Sequence, residues 1–123
     1  MTKHLDTPYI EHIKEAIYNI ESFIKGYSRE DFYQSIEKQS AVVRQIEVIG
    51  EAAKNLSIEF GAKYPQIPWK EIIGMRDKII HKYFEVDLNI IWDVIKKNLP
   101  KLKRNINEIL KEIRKENSLL SPK

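Results

Sequence analysis

The 123 residues make the length of one domain, and with 42% hydrophobic and 32% charged residues, four glycines and five prolines they read as a helix-rich globular chain. The absence of cysteine excludes disulfides, thiolate catalysis and Cys-ligated zinc, and is compatible with a reducing cytoplasm. The formal charge of +3 is slight, no apolar run reaches the ~18 residues of a membrane span and the N-terminus lacks a signal peptide's apolar centre, so the expectation is a soluble, cytoplasmic protein.

Thr7-Pro8 predicts a helix start, a capping hydroxyl followed by proline at the first helical position. Tyr9, Ile10, Ile13, Ile17, Ile20 and Ile24 then form one apolar stripe, and Gly26 can end the helix in the left-handed conformation, giving a first helix over about 8–26. Ser28 with Asp31 resembles a capping box. A second, longest helix is expected over 29–62, with Ile36, Val43, Ile46, Ile49, Ala53, Leu56 and Phe60 facing inward. The small residues of "IGEAA" in its middle would let a neighbouring helix approach closely.

Pro65 and Pro68 turn the chain into a third helix over 69–83. Asp87 then caps a fourth over 88–98, which Pro100 should stop or kink. A fifth, over 100–116, has Leu102, Ile106, Ile109, Leu110 and Ile113 as its apolar face, and leaves a flexible tail at 117–123. Nothing reads as a strand. The expected fold is all-α, one domain over 1–123 built as an antiparallel bundle of four to five helices. Trp69 and Trp92 are expected in core packing.

Two features carry chemistry. Lys96, Lys97, Lys101, Lys103 and Arg104 fall within nine residues that hold no acid, a basic stripe that can attract phosphates or simply be a solvated helix face. The stretch "GMRDKIIHKYF", residues 74–84, places Arg76, His81 and Tyr83 in an otherwise core-facing segment. Histidine can move the protons of a 2′-hydroxyl attack and arginine can hold the phosphate, a sensible pair for cleaving RNA without a metal. On a straight helix Arg76 and Tyr83 share a face, as do Asp77 and His81, but Arg76 and His81 diverge by about 140°. Either the arginine reaches around, the helix loosens near its end, or a second copy supplies the missing group. Asp77 could orient the imidazole. His4, His12 and His81 are too scattered to suggest a metal site, so neither metal nor cofactor is expected.

The run "RDKIIHKY" resembles the RxxxxHxY motif of the HepT-like branch of the HEPN superfamily. The segments "RQIEVIGEAAKNLS", "YPQIPWKEIIGMRDKIIHKYFEVD" and "IIWDVIKKNLPKL" follow in that family's order, so that the resemblance covers roughly residues 8–113. It implies an HEPN-like bundle and a toxin ribonuclease with Arg76 and His81 catalytic and Asp77 supporting. Lys78, Lys82, Lys96 and Lys97 become candidates for RNA binding. It further implies a homodimer whose cleft joins the motifs of both copies, and a minimal nucleotidyltransferase antitoxin that transfers AMP to Tyr83. The competing reading is a non-catalytic helical dimer that binds a nucleotidyltransferase or a nucleotide. Either Glu47 or Glu51, one turn apart, could pair with Arg76.

Overall fold

A computed structural model describes residues 2–80 and 86–120, with side chains for 5–80 and 86–119. Among these residues the chain is helical and without a strand: α1 (Thr2–Ile24), α2 (Arg29–Tyr33), α3 (Ile36–Lys54), α4 (Ile58–Lys63), α5 (Trp69–Ile73), α6 (Met75–Ile79), α7 (Leu88–Asp93), a π turn (Val94–Asn98) and α8 (Leu99–Leu120). The long helices α1, α3 and α8 form the frame, with α1 packed against both α3 and α8 while α3 carries α5 and α6. Their expected stripes meet in one core. Ile10, Ile13, Ile17 and Ile20 of α1, Ile46 and Ile49 of α3, and Ile106 and Ile109 of α8 are all buried. Each is worth about 1.5–3 kcal/mol relative to exposure.

The helix boundaries depart from expectation where polar side chains compete with the apolar period. Helix α1 does not start at Thr7-Pro8; it begins at Thr2 and contains Pro8. Asp6, 2% exposed, explains what holds the added turn: its carboxylate accepts from the Ser57 backbone N–H and hydroxyl, each at 2.8 Å. Gly26 does adopt the left-handed conformation, φ 80°, and the Ser28–Asp31 capping box is present in both directions.

The single helix expected over 29–62 is three. Ser35 caps α3, accepting from the Lys38 backbone N–H at 3.1 Å, and the Gln39 amide donates to the last carbonyls of α2, Phe32 and Tyr33, at 3.0 and 3.1 Å. Ser57 caps α4 in the same way, through the Phe60 N–H. These serines satisfy helix-end N–H groups that a continuous helix would have paired internally. Ile36, expected inward, stands at the start of α3 and is 77% exposed.

The expected third helix, 69–83, breaks at Gly74 into α5 and α6 and ends at Ile79. Ile80 is extended, φ −102° and ψ 119°, and forms an antiparallel bridge with Val86, while the Asp87 N–H donates to the Ile79 carbonyl at 2.8 Å. Asp87 caps α7 as expected, accepting from the Ile90 N–H.

Pro100 does not stop the chain between a fourth and a fifth helix. The path widens into the π turn, the Leu99 N–H pairs with the Val94 carbonyl, and α8 continues beyond the expected 116 to Leu120, covering part of the expected tail. Proline lacks an N–H and crowds the carbonyl four residues back; a wider turn just before it relieves that crowding. Trp92 tilts against Phe32 with ring centroids 5.5 Å apart, and Trp69 packs beside Gly61.

Tyr64, at the end of α4, is held to α8 by a 3.2 Å hydrogen bond to Glu112. Burial, with the Glu112 carboxylate beside it, pushes its phenol up to about 12. The folded state therefore favours the neutral phenol: this contribution is complete below about pH 10, the ordinary tyrosine value, and is lost as pH rises from there toward 12. Urea denaturation should show stability declining over that window, with a shallower decline in Tyr64→Phe.

The close approach anticipated for "IGEAA" is real. A β-carbon on Gly50 would lie 3.3 Å from the Ile73 carbonyl oxygen, so α5 rests on the backbone of α3. Gly50→Val should push α5 away and cost about 1–3 kcal/mol, read as a lowered denaturation midpoint.

Candidate active site

Helix α6 is five residues long and presents two faces to two different clefts. Arg76 and Asp77 line the first, about 830 Å³, with Glu47, Glu51 and Arg44 of α3 across from them. Met75 and Lys78 line the second. The Gly50 contact sets the distance between α3 and the α5–α6 pair, and one turn before Gly50 on α3 stands Glu47. Of the two glutamates considered as partners for Arg76, it is Glu47 that pairs: Arg76 Nε donates to its Oε2 at 2.8 Å. Glu51 lines the same cleft from an exposed position.

Glu47 also lies 3.8 Å from Arg44, and Asp77 Oδ1 is 3.5 Å from Arg76 Nη1. The Glu47 hydrogen bond, joined by Asp77, pushes the Arg76 guanidinium above its ordinary value. The group therefore stays cationic, and with five N–H donors it keeps an edge free for a phosphate oxygen. Asp77 thus contacts the arginine within the described residues. Its expected role of orienting His81 involves a residue outside them.

His81, Lys82 and Tyr83 lie outside the described residues. Their flanks do not: Ile80 and Val86 are bridged. The end of α6 at Ile79 removes the basis of the straight-helix wheel, so neither the 140° divergence of Arg76 and His81 nor the shared face of Arg76 and Tyr83 applies. Of the alternatives weighed above, a loosened helix end has a described counterpart: α6 ends at Ile79, two residues before His81.

The remaining RNA-binding candidates are dispersed. Lys78 faces the second cleft. Lys96 sits over the Trp92 ring at 4.9 Å, and Lys97 is 3.8 Å from Asp93. The basic stripe is a partly compensated helix face, with Lys103 also bound to Glu21 at 3.0 Å.

Three residues of the first cleft were not site candidates in the sequence. His12 and Tyr9, on α1 with rings edge to face at 6.4 Å, and Lys54 of α3 line the same space as Arg76. No spacing signal connects His12 with Arg76, because α1 and α6 meet the cleft only through tertiary packing. Among the described residues the cleft balances Arg44, Lys54 and Arg76 against Glu47, Glu51 and Asp77, so it is not a cationic trough.

Relatives of known family share most of this chain. Residues 13–109 match the family model described as "Ribonuclease HepT-like". The chain is 51% identical over 107 residues to a Methanocaldococcus jannaschii protein named "Gamma-glutamylcyclotransferase and putative RNase", matching 87% of this chain but 48% of that relative's length. It is 48% identical over 105 residues to a "Putative RNase" of Caldanaerobacter subterraneus, covering 85% and 94%. It is also 44% identical over 103 residues to a "Probable ribonuclease HepT" of Thermococcus cleftensis, covering 84% and 94%. No solved structure matches.

If Glu47 serves to aim Arg76, Glu47→Ala should leave stability nearly intact, since a solvent-screened ion pair adds little to it. RNA cleavage should fall about tenfold to a hundredfold from misplacement of the guanidinium. Paired thermal melts and cleavage rates check this, and Glu47→Asp should recover part of the rate.

Proposed function

The chain belongs to the HepT-like ribonuclease family, and on that footing we propose that it is a metal-independent endoribonuclease toxin, neutralised when a nucleotidyltransferase antitoxin transfers AMP to Tyr83. The observation that carries the reading is Arg76, fixed by Glu47 at the edge of an open cleft in the last turns before His81 and Tyr83. No helix among the described residues is long and apolar enough to cross a membrane.

In the proposed reaction the RNA 2′-hydroxyl loses its proton to His81 and attacks the adjacent phosphorus. Negative charge gathers on the phosphoryl oxygens, where the free edge of Arg76 stabilises it. The bond to the 5′-oxygen breaks and that oxygen takes a proton, leaving a 2′,3′-cyclic phosphate and a 5′-hydroxyl. A homodimer placing two copies of His81 at one cleft would divide the base and acid roles. Ile73, 40% exposed on the rim of this cleft, supports a second copy packing there.

Modification would proceed by attack of the Tyr83 oxygen on the α-phosphorus of ATP, releasing pyrophosphate. Because acids and bases balance in the described part of the cleft, an AMP group on Tyr83 would block RNA chiefly by its bulk, with its charge as a local addition. Among the described residues no three His, Asp or Glu side chains gather as a metal site.

Because the proposed attack uses His81 and Arg76 alone, cleavage is expected to persist in EDTA and to leave cyclic phosphate ends, and His81→Ala and Arg76→Ala should each abolish it in a folded protein. With the antitoxin and ATP, intact-mass spectrometry should show added AMP on the wild type and none on Tyr83→Phe. Rescue of EDTA-stopped cleavage by divalent ions would refute the mechanism. Equal neutralisation of the Tyr83→Phe toxin would refute the switch.

A further inference from the structure

On the other side of α6 from Arg76 lies a smaller cleft, about 460 Å³, between α5–α6 and the α7–π–α8 run. That volume is within the usual range for small-ligand pockets. Its floor is apolar: Ile72, Met75, Val94 and Leu102 are each 5–7% exposed and present their outer atoms to the opening. Its rim is polar. Asn98 and Asn105 stand on one face of α8 and its entry, seven residues apart and so two turns along the same stripe, with Lys101 between them. Gln66 faces them from before α5, and Lys78 comes from α6 itself.

These five side chains make no hydrogen bond or ion pair with any described residue, whereas the acid Asp93 on the same rim is held near Lys97 at 3.8 Å. Glu71, also on the rim, is exposed.

We propose that this cleft is a base-reading subsite for a single-stranded RNA nucleotide neighbouring the one cut at Arg76; the inference rests on the ribonuclease reading. A nucleobase is a flat, apolar-faced body with a donor and acceptor edge and a phosphate on either side. The apolar floor takes the face, and the Met75 thioether is a favourable neighbour for an aromatic ring. The amides of Asn98, Asn105 and Gln66 each offer a donor pair and an acceptor, the complement of a base edge. Lys78 and Lys101 supply cations to the flanking phosphates.

The two clefts share one wall. Helix α6, about 10–12 Å across with its side chains, stands between Arg76 on one cleft and Met75 and Lys78 on the other, so one strand passing over it would meet both. The π turn contributes directly: it brings Val94 to the floor and leaves Asn98 at the edge, and π turns recur at functional sites because they redirect a helix face in this way. The first cleft lacks this character, since acids and bases line its mouth.

The test measures the wild-type protein and two variants binding short 2′-O-methyl homopolymers, which cannot be cut by 2′-hydroxyl attack. The wild type should prefer one base. Asn98→Ala combined with Asn105→Ala should erase that preference, about a tenfold loss on the favoured homopolymer. Lys101→Ala should weaken all homopolymers alike and lower the salt slope by about one. Photocrosslinking of the wild type with 4-thiouridine-containing oligonucleotides, which needs no variant, should label peptides bearing Met75 or Asn98–Asn105. Equal affinity for every homopolymer, an unchanged preference in the amide variant, or crosslinks confined to the Tyr9 and Arg44–Asn55 peptides would overturn the subsite while leaving the ribonuclease reading intact. Failure to bind any oligonucleotide would overturn both. Loss of self-association in the amide variant would mark the face as an interface between copies and also overturn the subsite.

Discussion

The arrangement of the site depends on the absence of a side chain at Gly50. Because nothing projects there, the Ile73 carbonyl comes against the backbone of α3, and the short helices α5 and α6 are seated by that contact. Glu47 and Gly50 are three residues apart on α3, so the residue that admits α5 and the residue that aims Arg76 lie on neighbouring parts of one surface. A frame of long helices, whose buried isoleucines supply most of the cohesion, thereby passes its rigidity to a five-residue helix that could not hold its own geometry.

Charge at the first cleft is arranged for direction more than for field strength. A trough of unpaired lysines would attract any polyanion, whereas here acids accompany the cations, and a single guanidinium is raised and oriented by the carboxylate it binds. Such an arrangement offers direction at the expense of long-range attraction. His12 and Tyr9 enlarge the set of groups within this space, and they come from the first helix, far from the motif in sequence.

Much of the fold was legible because periodicity is a direct image of burial. The stripes of α1 and α8 are buried as read, with Tyr9 and Ile24 only partly covered. The errors have a common source, since hydrophobic period does not report where a polar side chain ends a helix. Ser35 and Ser57 interrupt what the apolar spacing joins, and the extra N-terminal turn of α1 is anchored by Asp6 across 51 residues, a link no local window contains. At the site, the wheel failed because Ile80 leaves the helix, while the close approach at Gly50 was visible as a cluster of small residues. The pairing of Glu47 over Glu51 depended on the seating of α5, which spacing alone does not encode.

The π turn before Pro100 has a consequence for what lengths of chain the fold can accept. A π turn holds one residue more than the α-helical turn it replaces, and one residue of helix is about 100° of rotation. Because that extra residue is taken up within one turn, deleting one residue from Val94–Asn98 would let the run wind as plain α-helix and leave Ile106, Ile109 and Ile113 of α8 facing α1, whereas deleting one from the α-helical run between Pro100 and Ile106 would swing them away by that angle. Substitution within this segment is a question of chemistry. Its residue count holds one residue of slack, which the C-terminal helix can lose without turning.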